Sequence, residues 1–130
     1  MIAKDLMVGD WVQVNKEAFK VLAILHLDII SVSDKIGDFY QIDVNSIEPI
    51  PLTPEILEKN GFEFKWDGWI WCEDKEMETQ NSFIQFSNGE VRIVEVNYLH
   101  KAATKFRNVQ NVHELQHVLR LCGIVKEIEL

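Results

Sequence analysis

The string His113-Glu114-Leu115-Gln116-His117 has the H-E-x-x-H spacing of zinc metalloproteases. Residues four apart stand one turn apart on a helix, so both imidazoles can reach one metal. The glutamate between them is then placed to act as general base on a metal-bound water. In that alternative His113 and His117 are the metal ligands and Glu114 is the catalytic residue of a zinc-dependent hydrolase. The string falls in a segment that reads as helix. Asn111 is a suitable cap, Glu114 follows three residues on, and Gly123 is a stop.

Three features argue against catalysis. A third protein ligand is needed, and the longer metzincin pattern places Gly and His where this chain has Arg120 and Gly123. Downstream carboxylates are confined to Glu127 and Glu129, on a segment 124–130 that reads as a closing strand. At about 100° per residue, Val112, Leu115, Val118, Leu119 and Cys122 gather into one apolar stripe. His113 and His117 then fall nearly opposite, beside Arg120, which predicts a solvated pair. The expectation is therefore no catalytic residue, no bound metal and no cofactor.

Other groups with chemical potential have simpler readings. Cys72 and Cys122 lack CxxC spacing and a neighbouring base, so both read as inert buried thiols. His26, in the apolar run 21–30, reads as a strand histidine. Glu73, Asp74, Glu76 and Glu78 lack the calcium-loop pattern and read as a solvated loop. His100, Lys101, Lys105 and Arg107 form a short, interrupted basic stretch, read as a solvated strand or loop. Phe62, Phe64, Trp66, Trp69 and Trp71 alternate along a hairpin. They read as core beneath the last helix, with Trp66 or Trp69, near the turn, the candidates for partner binding.

The elements that must position these groups read as an α+β fold. Val8-Gly9-Asp10 is a turn, and Trp11–Val14 alternates as a strand. The segments 19–25, 28–33 and 39–42 follow as short strands, suggesting an SH3-like bent sheet or half-barrel. A proline-marked junction leads to Thr53-Pro54-Glu55, a cap, a first-turn proline and a dipole-complementing acid. Leu52 and Leu57 suit a hydrophobic staple, and Asn60-Gly61 ends the helix. Two hairpins then turn at Asp67-Gly68 and Asn88-Gly89. The first register predicts Trp66 opposite Trp69 and Phe64 opposite Trp71. The second predicts Phe86 opposite Val91 and Ile84 opposite Ile93. The expected division is a β-rich lobe over 1–48 and an α+β lobe over 49–130, together one compact unit.

Composition sets the class of partner. The 130 residues are 47% hydrophobic and 26% charged, as in globular proteins, and carry a formal charge of −8. Nucleic-acid affinity comes largely from Lys and Arg displacing phosphate counterions, so an anionic chain is ill suited to that partner. The same charge disfavours anionic membranes, and no apolar run reaches membrane-spanning length. The expectation is a cytoplasmic protein whose partner is another protein or a second copy of itself.

The junction Ile47-Glu48-Pro49-Ile50-Pro51-Leu52-Thr53-Pro54-Glu55-Ile56-Leu57, followed by Asn60-Gly61-Phe62, resembles one found in a group of uncharacterised small bacterial proteins, many from phage-like or mobile regions. Val112-His113-Glu114-Leu115-Gln116-His117-Val118-Leu119 resembles their C-terminal helix, and Leu6-Met7-Val8-Gly9-Asp10-Trp11-Val12 their opening. The group carries no known activity. The resemblance implies that Glu114 and His117 occupy positions where Gln or Asn is common, and that the helix serves packing. The leading expectation is a non-enzymatic binding or accessory module. The zinc hydrolase is the alternative, and an acidic nucleic-acid mimic is a third reading.

Overall fold

The computed structural model describes residues 5–26, 28–65, 68–71, 83–87, 90–96, 101–121 and 126–130. Trp66, Cys72, the acidic segment 73–81, the Asn88-Gly89 pair, His100, Cys122 and Gly123 lie outside them. The described residues form an α+β fold with two five-stranded sheets and two α-helices. No described helix is long and apolar enough to cross a membrane.

The first unit gathers the chain up to Pro51 together with Asn111–Ile128 and Leu130. Its strands are β1 (Trp11–Val14), β2 (Glu17–Ile24), β3 (Ile29–Ser33), β4 (Phe39–Asp43) and β5 (Glu48–Pro49), and their order is β4-β3-β2-β1-β5. Asn15 and Lys16 take positive φ angles of 50° and 66°, the twist of a tight two-residue hairpin turn between β1 and β2. A short 3-10 turn, Val44–Ser46, carries the chain from β4 to β5, which pairs beside β1. Leu6, Val12, Phe19, Val21, Ile30, Val32, Val44 and Ile47 form one buried cluster. His26 is exposed at the β2–β3 turn, where its backbone bonds to Ile29, rather than inside a strand.

Helix α2 (Val112–Leu121) belongs to this unit and packs on β1. The expected boundary at 48/49 had assigned it to the hairpins. The aliphatic stripe is as expected, since Val112, Leu115, Val118 and Leu119 are all buried. Residues 126–130 form no strand. Instead Ile128 offers its carbonyl to the Trp11 indole N–H at 2.7 Å.

The second unit, Leu52–Gln110 with Glu129, holds α1 (Pro54–Lys59) and the sheet β10-β9-β8-β7-β6. Its strands are β6 (Glu63–Lys65), β7 (Gly68–Trp71), β8 (Phe83–Ser87), β9 (Glu90–Val96) and β10 (Lys101–Asn108). Thr53 Oγ1 accepts from the Ile56 N–H at 3.3 Å and Pro54 opens α1, as its sequence requires. Gly61 closes it at φ 85°. The β8–β9 register pairs Phe86 with Val91 and Ile84 with Ile93, as expected. The basic stretch 101–107 runs as strand β10, beside β9.

The first hairpin differs. Phe64 stands opposite Trp69, and Lys65 opposite Gly68, so Gly68 is a paired strand residue rather than part of the turn. Nor is the aromatic face the core. Along β7 it is Gly68 and Ile70 that are buried, while Trp69 and Trp71 are half-buried and Phe64 is 64% exposed. Phe64 and Trp69 meet edge to face at 5.5 Å. Phe62, just before β6, is buried with Leu57 and bonded to it through the backbone.

Removing the cap of α1 tests the sequence logic of this unit. Thr53→Ala is expected to lower stability by about 1 kcal/mol in urea unfolding, with Thr53→Ser close to wild type.

Candidate functional site

Glu114, Gln116, His117 and Arg120 extend from the polar side of α2, and each meets a defined partner. Glu114 Oε1 accepts from the Asn111 backbone N–H at 3.1 Å and from Asn111 Nδ2 at 2.8 Å. The carboxylate that would serve as general base thus closes the helix's own N-terminus.

Gln116 and His117 reach the turn before β1. That turn is closed by the Asp10 N–H to Met7 O at 3.1 Å, with Gly9 at φ 93°. A Cβ on Gly9 would come within 3.0 Å of Arg120 Nη2, so glycine answers both the backbone angle and the close approach. Backbone bonds from Gly9 and Asp10 to Val21 tie the turn to β2. On its other side the Gln116 amide accepts from the Trp11 N–H and donates to Gly9 O, both at 2.9 Å. One side-chain amide therefore pairs with the backbone as a neighbouring strand would.

The centre of this arrangement is Asp10, whose side chain is fully buried. Oδ2 accepts from the Met7 N–H at 2.8 Å and lies 2.7 Å from His117 Nε2. Oδ1 accepts from Arg120 Nη1 at 3.1 Å, and Arg120 Nη2 donates to Val8 O at 3.2 Å. A buried carboxylate is tolerable only when its lone pairs are filled, and here backbone, imidazole and guanidinium share the task. With the carboxylate accepting throughout, Nε2 is the protonated nitrogen of His117 in the neutral ring.

The histidine pair is therefore not solvated, which corrects the expectation from the helical projection. His113 is only 8% exposed, the His117 side chain 16%, and Gln116 is buried as well. Projection of the apolar stripe identifies one buried face. It is blind to a polar face covered by the Met7–Trp11 turn. The two rings stand edge to face at 5.7 Å. His113 Nδ1 is buried and, among the described residues, has no hydrogen-bond partner. Burial pushes the His113 pKa below its ordinary 6.5, against the opposing pull of Asp10 and Glu114.

This geometry differs from a zinc site of the H-E-x-x-H kind. His117 Nε2 faces Asp10, and Glu114 faces Asn111. Among the described residues no three His, Cys, Asp or Glu side chains are grouped to hold a metal ion. Asp10 and Arg120 complete the cluster and were not singled out as partners from sequence, which showed Asp10 only as a turn residue. Of the two aromatic candidates, Trp69 is half-buried against Phe64, and Trp66 lies outside the described residues. No family model, curated protein or solved structure matches the chain.

Two outcomes follow. Asp10→Ala leaves the His117 and Arg120 donors unanswered and is expected to cost about 3 kcal/mol in chemical denaturation. A histidine held neutral by burial favours the unfolded state once that state can protonate. Stability is therefore expected to fall as pH drops below 6.5, the ordinary value for His113. In His113→Phe that acid-side loss, followed by urea unfolding between neutral and mildly acid pH, should be smaller.

Proposed function

We propose that this chain is a non-enzymatic binding or accessory protein of a bacterial or phage-like mobile region, acting in the cytoplasm on another protein. Its N-terminal part is read as an SH3-like half-barrel. The strand order β4-β3-β2-β1-β5, with a 3-10 turn leading into β5, supports that reading.

The observation that carries the proposal is where the reactive side chains are spent. Glu114, Gln116 and His117 hold the helix cap and the Met7–Trp11 turn, each with its partner within 3.1 Å. Large apolar side chains, by contrast, face water: Phe39 is 74% exposed and Phe64 64%. Wet aromatics are the residues that interfaces favour, because they bury much area with little lost rotamer freedom. A charge of −8 favours a protein partner over nucleic acid.

The test is isolation of the tagged chain from cells that naturally make it, with metal content measured on the same sample. The expected result is a stoichiometric protein partner and an unfolding midpoint indifferent to chelator. A chain isolated alone, with one tightly held zinc and a hydrolytic activity lost in Glu114→Gln, would overturn the proposal.

A further inference from the structure

Strand β4 is an edge of the first sheet, and among the described residues it pairs only with β3. Natural edges are protected by prolines, charged side chains (lysine above all), bulges or shortness. The opposite edge follows that rule, since β5 is two residues long and contains Pro49. Strand β4 follows it only at its last residue, Asp43. Its five residues, Phe39-Tyr40-Gln41-Ile42-Asp43, include no Pro or Lys and pair with β3 in unbroken register. Phe39, Tyr40 and Gln41 are all exposed.

The side chains show what the edge lacks. Tyr40 and Ile42 stand opposite Val32 and Ile30, both fully buried, so they continue the core rows outward. Tyr40 packs edge to face on Phe19 at 5.7 Å but is 44% exposed. Ile42 is half-buried against the core cluster, so in this row it is Tyr40 that remains open to a further apolar side chain. Carboxylates mark both ends of the edge: Asp38 before it, Asp43 at its last residue, and Asp34 beside the Tyr40 hydroxyl at 3.2 Å.

We propose that β4 is a docking edge for an extended segment of a partner protein, which adds a strand to this sheet. The segment places apolar side chains beside Tyr40 and Ile42 and carries Lys or Arg at its ends. Backbone bonding along the edge gives affinity, and the alternate side chains and terminal charges give selection. A second copy of this chain is the poorer occupant. Antiparallel β4 strands would bring the Asp38 and Asp43 carboxylates of two chains, each with a charge of −8, to one seam. The inference deepens the accessory-protein reading and rests on it for the nature of the partner.

The probe is a synthetic peptide of alternating valine and threonine with paired lysines at each end, compared with its glutamate-ended counterpart. Backbone amide shifts are followed by NMR in the wild type and in the double variant Phe39→Lys, Gln41→Lys. Both substituted positions are exposed, and retained spectral dispersion confirms that the variant folds. The expected result is shifts centred on Phe39–Asp43 with the lysine peptide, about tenfold weaker binding of the glutamate peptide, and a similar loss in the variant. Shifts elsewhere, equal binding of the two peptides, equal binding by the variant, or a dimer formed through β4 would each overturn the proposal. Native isolation separates the two readings. If the double variant keeps the natural partner, the docking edge is wrong and the accessory role stands. If the wild type has no partner and yet the peptide binds β4, the edge stands and the accessory role falls.

Discussion

A fully buried carboxylate organises the first unit. Asp10 has no access to water, so its charge must be met by donors brought to it. Met7 supplies one from the same turn, and His117 and Arg120 supply two from a helix more than a hundred residues later in the chain. The geometry of the turn before β1 and the seating of α2 are therefore one constraint. Gln116 reinforces it through Trp11 and Gly9, and Gly9 leaves room for the guanidinium.

Helix α2 is accordingly amphipathic in an unusual sense, with a buried aliphatic face and a polar side on which His113 and Gln116 are buried too, while Arg120 stays exposed. The aliphatic stripe was legible in the sequence because Val112, Leu115, Val118 and Leu119 recur at helical spacing. The Asn111–Glu114 pair was legible as a cap for the same local reason. The cover over Gln116 and His117 was not. It depends on a residue 107 positions from His117, and nothing in the periodicity of either segment encodes that pairing. The spacing that resembles a zinc site is real, but a covered polar helix face needs the same residue types. An imidazole can give a lone pair to a metal or an N–H to a turn, whereas the guanidinium beside it can only donate, which suits a carboxylate and a carbonyl.

The second unit shows a different limit. The α1 cap and the β8–β9 register follow from local turn and capping chemistry, and both were readable. The first hairpin lies two positions from its expected register, with Phe64 on Trp69 rather than Trp71. A slide of two residues leaves every side chain on its original face, so alternation cannot distinguish the two pairings. The aromatic stripe was also legible as a stripe, but its burial was not. Alternation defines two faces without saying which is inward, and here Ile70 is inward while Phe64 is wet. The same ambiguity hides the open edge at β4, since position in a sheet is a property of topology rather than of any one strand's sequence.

The polar face of α2 holds the Met7–Trp11 turn through Asp10. A double-mutant cycle between Asp10 and His117, using Asp10→Asn and His117→Gln and read by chemical denaturation at neutral pH, tests it most directly. The two effects are expected to be coupled, with an interaction energy of about 1 kcal/mol or more. Additive effects, with His117 tolerant of substitution whatever stands at position 10, would contradict it.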